Sequence, residues 1–497
     1  MMNALIALSP LLCVGGGGLL IMIVDAFVKD KSTRAELAIP STIVLLVATG
    51  AAIGLWVGGT PAHVTTLVTS YVAVDPLSLF FDITICVGAL LAVLLAGGYL
   101  PEHELDRNEF YPLILFAAFG AMLLARATDL LSVFIGLETM SLGVYCLVAF
   151  RRTSPRSTEG ALKYFLLGSF AAAILLFGSA LLYGATGHTD LAGIGRAVTS
   201  GEADSRLTLL GLALVLAGLA FKVSAVPFHQ WTPDAYEGAP TPVTMFMSVA
   251  VKAAAFGVLV RVLMTSFSDP LSMSASTGWP PVIAGIAAIT MVFGNIAAVY
   301  QTSVKRMLAY SSIAHAGYIL VGLAAAFKLG AEAISSVLFY LMAYTVSNAL
   351  AFGSLVLLGS RGREAVSYED LAGVGRRHPA AGIPFVLGVL SLLGLPPTVG
   401  FFAKYYVFSA AVQAGGGMVW LAVIGVLSSA IGAYYYLRVI VYMYMRAPAP
   451  GAPQAVPMKS GYVIFALVLS AYFVLRMGIA PGTYLQMAIE AAQKLLA

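Results

Sequence analysis

The sequence predicts an all-α polytopic membrane protein of about fourteen transmembrane helices, with two inverted five-helix repeats and broken helices seven and twelve. Of its 497 residues, 60% are hydrophobic and only 10% are charged. Apolar stretches of membrane-spanning length follow one another along the chain, and prolines interrupt two of them at comparable places. A soluble domain needs about a quarter of its surface residues charged. Lipid is therefore the expected solvent of most of this chain.

Charge and cysteine content exclude several functions. The 27 Lys and Arg against 23 Asp and Glu leave a net charge of +4, and no basic run is longer than the pair Arg151 and Arg152. Nucleic-acid binding is therefore excluded. Cys13, Cys86 and Cys146 lie far apart in apolar stretches, which predicts buried thiols rather than disulfides or a zinc site. Walker A, HExxH and dinucleotide-binding patterns are absent, so we expect no cofactor and no metal in this chain.

Each predicted span supplies the roughly 20 apolar residues that a bilayer core about 30 Å thick requires. The spans lie at approximately 5–28, 37–57, 77–100, 110–126, 130–150, 158–183, 207–226, 242–265, 280–300, 307–327, 331–358, 381–410, 418–445 and 460–479. We expect a single transmembrane domain over 1–497. It consists of helices one to three (1–100), a first repeat of spans four to eight (110–265), a second repeat of spans nine to thirteen (280–445), and span fourteen with a C-terminal tail (460–497).

Basic residues in the loops predict the orientation, because positive charges are held on the cytoplasmic side. The odd-numbered loops contain Lys29, Lys31, Arg34, Arg107, Arg151, Arg152, Arg156, Lys305, Arg306, Arg361, Arg363, Arg376, Arg377, Arg446 and Lys459. The even-numbered loops and the tail contain Arg126, Arg196, Arg206, Lys328 and Lys494. Both termini are therefore expected on the outer, periplasmic side. The last fifteen residues, TYLQMAIEAAQKLLA, predict an amphipathic helix along that surface.

Two spans are interrupted at comparable places. Span seven reads AFKVSAVPFHQW, with Pro227 as the break, and span twelve reads SLLGLPPTVGFFAKYY, broken at Pro396 and Pro397. Each break lies close to a lysine. The two spans are five helices apart and cross in opposite directions, which is the arrangement of an inverted repeat. Such repeats place their ion sites at discontinuous helices near the membrane midplane.

Five of the ionisable residues inside the predicted spans stand out: Glu138, Lys163, Lys222, Lys252 and Lys404. A lone charge at a helix centre costs about 2.5 to 3.5 kcal/mol, so each residue needs an explanation. Lys163 is about one turn inside span six and either reaches the cytoplasmic surface or has a function. The other three lysines are too deep to reach a surface, which favours a functional interpretation.

Buried lysines suit proton transfer, because burial and a neighbouring carboxylate shift the pKa of an amine in opposite directions. If Glu138 pairs with Lys222, movement of the glutamate towards or away from the lysine loads or releases one proton. A water-linked row of Lys222, Lys252 and Lys404 then passes protons along the midplane. Two neighbouring lysines repel each other when both are charged. Protonation of one therefore favours loss of the proton from the next.

Two histidines add groups that titrate near neutral pH. His229 follows the break of span seven, and His315 lies within span ten. Both are candidate relay members, and the alternative for each is a hydrogen-bonded packing residue. Asp82, one turn inside span three, is expected to reach the interface. Arg438, in span thirteen, is expected to contact a neighbouring subunit or a lipid headgroup.

Three stretches connect the chain with a known family. They are FKVSAVPFHQWTPDAYEGAPTPVT at 221–244, VKRMLAYSSIAHAGY at 304–318 and GLPPTVGFFAKYYVF at 394–408, supported by Glu138. With them the chain resembles the antiporter-like membrane subunits of the proton-pumping NADH-quinone oxidoreductase, respiratory complex I, and among these the subunit N family. Subunit M usually has a glutamate where this chain has Lys404. Subunit L and the cation/proton antiporters continue into a long lateral helix, for which no residues remain after span fourteen.

The resemblance implies roles for individual residues. Glu138 matches the family's span-five glutamate, and Lys222 matches the lysine paired with it. Lys252 matches the central lysine of span eight, and Lys404 the terminal residue that faces the outlet or the next subunit. His315 matches a histidine of the hydrated axis. Lys163 also has a counterpart, and His229 stays a candidate from its position alone.

The resemblance also implies an assembly. NADH, FMN, iron–sulfur clusters and quinone are expected in partner subunits, with none in this chain. The expected partners are the antiporter-like subunit M, the small subunits on the K, J, A and H side, the lateral helix of subunit L, and the lipid bilayer of the bacterial inner membrane. The function implied is redox-driven proton translocation.

Three alternatives stay open at the level of the sequence. The chain is a subunit of a multisubunit cation/proton antiporter, a structural membrane subunit that does not pump, or part of a photosynthetic relative that takes electrons from ferredoxin. Lys404 beside the double proline argues against the antiporter. Four midplane groups beside two broken helices argue against a purely structural role, because apolar residues would pack as well.

Overall fold

The computed structural model describes residues 2–27, 37–61, 66–360, 362–450 and 455–496, and the regular elements in these ranges are helices. The helices of the fourteen spans, in chain order, are Ser9–Phe27, Ala38–Gly58, Pro76–Glu102, Phe110–Arg126, Leu130–Val148, Pro155–Thr186, Ser205–Val223, Thr241–Ser266, Trp279–Val299, Val304–Leu329, Ala331–Leu358, Pro379–Leu393 with Val399–Ala414, Gly417–Met445 and Gly461–Ile479. Within the described ranges, twelve of these are long and apolar enough to cross a membrane. The fourth span and the first half of the twelfth are shorter apolar helices. The predicted all-α membrane fold is confirmed.

Short helices accompany the spans. They are Met2–Ala7, Thr66–Thr69, Leu191–Ser200, Trp231–Gly238, Val374–Arg377 and Gly482–Leu496. The last is the predicted C-terminal helix, which packs on spans three and eleven with Ala488, Ala491 and Ala492 buried. Four of the basic loop residues, Lys29, Lys31, Arg34 and Arg361, lie outside the described residues. The orientation and the division into repeats stay predictions.

Several spans begin at loop residues that satisfy the free N–H groups of the first helical turn. Asp75 precedes Pro76, and its Oδ1 accepts a hydrogen bond from Ser78 N at 2.7 Å. Ser154 precedes Pro155 in the same way. Proline at the first helical position loses no hydrogen bond there, so both sequences fix where a span starts.

The spans differ in how far other helices enclose them. Spans three, eight, ten and eleven are almost wholly buried, whereas spans one, two and thirteen each keep a large exposed face. Glycines permit the closest approaches: a Cβ at Gly120 would lie 2.3 Å from Met140 N across spans four and five. A charged or polar residue on an enclosed span therefore has to find its partners within the protein.

The two predicted breaks are confirmed. Span seven ends at Val223, Ser224 adopts a left-handed conformation with φ 64°, and the chain becomes helical again at Trp231. Span twelve ends at Leu393, Gly394 has φ 90°, and Val399–Ala414 continues it. Each break contains a cis peptide bond before a proline. Span eight has a third irregularity that the sequence did not predict, a π-helical turn at Met247–Val251 directly before Lys252.

Candidate functional site

Lys222 lies in the last turn before the break of span seven and is 1% exposed. Its Nζ donates hydrogen bonds to Ser141 Oγ at 2.8 Å and Tyr145 OH at 3.4 Å, both on span five. The rings of Tyr145, Tyr164 and Phe221 lie 5.4 to 5.6 Å from Nζ, within the range of cation–π attraction. The ammonium group is therefore held by hydroxyls and aromatic faces.

Glu138 lies on the same side of span five as Ser141, one helical turn earlier. It is half-buried, and its Oε1 has no hydrogen-bond partner among the described residues. Glu138 and Lys222 interact electrostatically. No ion pair of 4.0 Å or less joins them within the described ranges. The two residues therefore lie near one another, and Lys222 donates to Ser141, one turn beyond Glu138 on span five.

Lys252 follows the π-helical turn of span eight and is 2% exposed. Its Nζ donates to the carbonyl oxygen and to Oγ of Ser312 on span ten, at 2.5 Å each. Span eight is enclosed on all sides by other helices. Ser312 therefore provides the hydrogen-bond acceptors that water would provide at a surface. Lys252 thereby connects span eight with span ten.

His315 lies one turn beyond Ser312 on span ten and is 4% exposed. Its Nδ1 is 2.7 Å from Tyr340 OH and its Nε2 is 3.1 Å from Tyr436 OH. Both ring nitrogens are thus engaged by hydroxyls that can act as donor or acceptor. A small cavity beside the ring extends to Ser391 and Gly400, at the break of span twelve.

Lys404 lies in the helical segment after the break of span twelve and is 9% exposed. Its Nζ donates to Leu393 O at 2.8 Å and to Ser429 Oγ at 2.7 Å, and it lies 5.0 Å from the centroid of the Tyr318 ring. Leu393 is the last residue before the break, so its carbonyl is one that a helix end leaves unpaired. The broken helix itself therefore provides a ligand for this ammonium group.

Lys163 and His229 lie apart from this row. The Lys163 side chain is 45% exposed and forms ion pairs with Glu159 at 2.6 Å and Asp234 at 2.7 Å. His229 is half-buried in the break, packs against Phe293 with ring centroids 4.6 Å apart, and leaves Nδ1 without a partner in the described chain. Neither forms a hydrogen bond with Lys222, Lys252, His315 or Lys404 within those ranges.

The expectation that Asp82 reaches the interface is wrong. Asp82 and Arg126, on spans three and four, form an ion pair in which both side chains are 0% exposed. Arg126 Nε lies 3.1 and 3.0 Å from the two carboxylate oxygens, and Nη1 donates to Ala73 O at 3.3 Å. The missed signal is two opposite charges, one near the start of span three and one at the end of antiparallel span four. Nearby, Arg261 pairs with Asp75 at 2.7 Å.

Arg438 has partners within the chain, and its expected contact with a neighbouring subunit or a lipid headgroup stays a prediction. Its guanidinium lies 4.2 Å from the Tyr368 ring centroid and 5.8 Å from that of Tyr442. Its Nη1 donates to Val299 O at 3.4 Å and Gln301 O at 3.3 Å. These contacts hold span thirteen against the loop after span nine.

Glu364, in the loop between spans eleven and twelve, is the acceptor of a polar cluster. It accepts hydrogen bonds from Tyr99 OH and Thr241 Oγ1 at 2.6 Å each, and Lys305 Nζ lies 3.3 Å away. Burial by itself raises the pKa of this carboxyl group. The charges of Lys305 and Arg151 and the two hydroxyl donors outweigh burial and lower the pKa to about 2.

The lowered pKa of Glu364 predicts a pH-dependent stability. Its contribution is complete above the unfolded value near 4.5 and is lost as the pH falls towards 2. We expect Glu364→Gln to lower the free energy of unfolding by on the order of 3 kcal/mol at neutral pH. Thermal unfolding in detergent is the measurement, with exposed Glu369→Gln as control. The deficit of Glu364→Gln should shrink below pH 4.5; a deficit that is constant down to pH 3 contradicts the account.

Apolar helices, two of them broken, around buried lysines and a histidine define the class of antiporter-like membrane subunits. Residues 127–432 match the transmembrane family described as NADH:quinone oxidoreductase/Mrp antiporter. A curated relative, NADH-quinone oxidoreductase subunit N 1 of Sorangium cellulosum, is 56% identical over 500 residues, covering 98% of each chain. The chain belongs to the subunit N family of NADH-quinone oxidoreductase, respiratory complex I.

Solved structures agree with this assignment. A chain of respiratory complex I from Thermus thermophilus with bound aureothin is 34% identical with a TM-score of 0.79, covering 97% of this chain and 99% of that one. A chain of the Mrp complex from Dietzia sp. DQ12-45-1b has a TM-score of 0.84 over 100% of this chain and 98% of that one. At 21% identity, the Mrp likeness shows the fold alone.

Proposed function

We propose that this chain translocates protons across the membrane through Glu138, Lys222, Lys252, His315 and Lys404, driven by redox chemistry in other subunits. One observation carries the proposal: the three buried lysines are held by hydroxyl and carbonyl oxygens. Among the described residues, none of the three ammonium groups lies within 4.0 Å of a carboxylate. A lysine held in this way can lose its proton without leaving a buried carboxylate unpaired.

The contrast with the structural charges of the same chain supports this interpretation. Arg126, Arg261 and Lys305 are equally buried, and each is paired with a carboxylate. A charge that serves only packing needs such a partner, because an unpaired buried ion is costly. Lys222, Lys252 and Lys404 are buried without a carboxylate partner among the described residues. Such an arrangement is expected of groups that have to gain and lose their charge.

The row transfers protons by alternating charge. Approach of the Glu138 carboxylate stabilises a charged Lys222, and its withdrawal favours release of the proton. A proton on Lys252 disfavours a second charge on its neighbours, so it moves on through Ser312 and the hydroxyls around His315. Lys404, beside the open carbonyl of Leu393, is the last group of the row.

The surrounding assembly belongs to the proposal. The proposal assigns the electron carriers to partner subunits. These carriers, which this chain does not bind, are NADH, FMN, iron–sulfur clusters and quinone. The proposed neighbours are subunit M, the small subunits K, J and A, the H side and the lateral helix of subunit L. The proposed location is the bacterial inner membrane, with both termini on the periplasmic side. A relay role for Lys163 and His229 stays a prediction.

Lys404→Ala tests the outlet of the row. In proteoliposomes containing the assembled complex, NADH-driven proton uptake or release is expected to fall by at least about tenfold, since proton transfer by a positioned group is worth that much or more. Lys459→Ala is the matched control, because it removes an exposed lysine outside the spans. Normal pumping by an assembled Lys404→Ala complex contradicts the proposed outlet.

A further inference from the structure

Three tyrosines between Lys222 and Lys252 have buried hydroxyl groups without hydrogen-bond partners. Tyr164, Tyr236 and Tyr344 are at most 3% exposed, and none of their hydroxyl oxygens has a partner of acceptable geometry within the described ranges. Buried polar groups in proteins are nearly always hydrogen-bonded, either to protein or to ordered water. Three such hydroxyls in one region indicate a place that holds water.

The three side chains follow one another from one lysine to the other. The Tyr164 ring lies 5.5 Å from Lys222 Nζ. Tyr164 and Tyr236 are within electrostatic range of each other, and the Tyr236 and Tyr344 hydroxyls both lie close to Ser312. Ser312 in turn accepts the hydrogen bond from Lys252.

Tyr236 occupies the middle of this series on a firmly held segment. Its helix, Trp231–Gly238, is fixed to span seven by Trp231 Nε1 donating to Phe221 O at 3.0 Å. The Tyr236 carbonyl accepts from Thr244 Oγ1 at 2.7 Å, and its ring packs on Trp231. The phenol is therefore held at one place in the interior between the two lysines.

We propose that the Tyr236 hydroxyl positions the water through which protons pass between Lys222 and Lys252. The inference rests on the proposed function and adds the step that joins its first two lysines. Lys222 gives a proton to a water on the Tyr164 side as that water gives one to the phenol oxygen. The phenol gives its own proton to Ser312, and the hydroxyl proton of Ser312 passes to the neutral amine of Lys252. The O–H bond that breaks is replaced by the one that forms, so Tyr236 is neutral before and after, and one proton has moved.

Tyr236→Phe removes one oxygen and keeps the ring. In proteoliposomes with the assembled complex, we expect NADH-driven pumping to fall by about tenfold, and NADH oxidation to show a larger solvent deuterium isotope effect than in the native complex. A purely structural role would not raise the isotope effect. Tyr111→Phe is the matched control, because Tyr111 is equally buried and its hydroxyl is also unpartnered, but it lies on span four outside this series.

The outcomes separate this inference from the proposed function. Normal pumping and a native isotope effect in Tyr236→Phe overturn the role of Tyr236, whereas loss of pumping in Lys404→Ala would still support the row. Equal losses in Tyr236→Phe and Tyr111→Phe also overturn it, since the effect then follows any lost buried hydroxyl. If Tyr236→Phe does not assemble, Tyr164→Phe, which removes the hydroxyl at the Lys222 side of the same series and keeps the ring, is measured in the same two assays with the same expectations.

Discussion

Lys222→Ala is expected to reduce redox-driven proton pumping to a tenth or less of the native rate. A positioned proton-transfer group typically accelerates a reaction by about 10²-fold to 10⁴-fold. The substitution removes the ammonium group that Ser141, Tyr145 and the surrounding rings hold beside the break of span seven. Alanine offers no titratable atom, and Glu138 loses the charge with which it interacts. NADH oxidation should fall as well, because redox chemistry coupled to a blocked proton path cannot turn over.

Pumping is measured as the pH change of proteoliposomes after NADH addition, with assembly confirmed beforehand. Lys459→Ala controls for the loss of a lysine at a surface. Glu138→Gln is an informative companion: it keeps the shape of the side chain and removes its charge, so we expect an intermediate loss. A Lys222→Ala complex that assembles and pumps at the native rate would mean that Lys222 only contributes to packing.

Asp82→Ala is expected to destabilise the chain by about 3 to 5 kcal/mol, the usual cost of leaving one member of a buried ion pair without its partner. Asp82 and Arg126 are both fully buried, and the carboxylate accepts hydrogen bonds from both Nε and Nη2 of Arg126. Without the carboxylate, the bond to Ala73 O is the one hydrogen bond that the guanidinium keeps among the described residues. Unfolding in detergent by increasing denaturant is the measurement, and Glu369→Ala, at an exposed position, is the control.

The double variant Asp82→Ala with Arg126→Leu identifies the cause. Because the penalty arises from an uncompensated charge, replacing both members by apolar residues should restore part of the lost stability. If the double variant loses as much as the sum of both single variants, the two residues act independently and the ion pair is not the source of the effect.

The features that the sequence predicted correctly depend on local information. Lipid exposure requires long apolar stretches, so the spans can be read from composition and length. Pro227, Pro396 and Pro397 lie within spans and disfavour a continuous helix there, so the breaks could be predicted from the local sequence. Likewise, Lys252 lies in the middle of an apolar stretch, too far from either end to reach the membrane surface. Its burial could therefore be predicted without knowing its neighbouring helices.

The features that were missed or wrong depend on which helices become neighbours. Asp82 looked close enough to an interface, but the approach of span four gave it a partner in Arg126. Arg438 found aromatic faces and carbonyls from a distant loop. No residue of the sequence marks the π-helical turn before Lys252, which lies in a span enclosed on all sides.

The most direct test of the buried row compares NADH oxidation and proton pumping, measured together on the same proteoliposomes, for the native complex and for fully assembled Lys222→Ala and Lys404→Ala complexes. These residues are the two ends of the row. We predict that both rates fall together in both variants, because the proposed function couples the redox reaction to proton movement through this chain. Native rates of oxidation and pumping in both assembled variants would contradict it and make the chain a structural subunit.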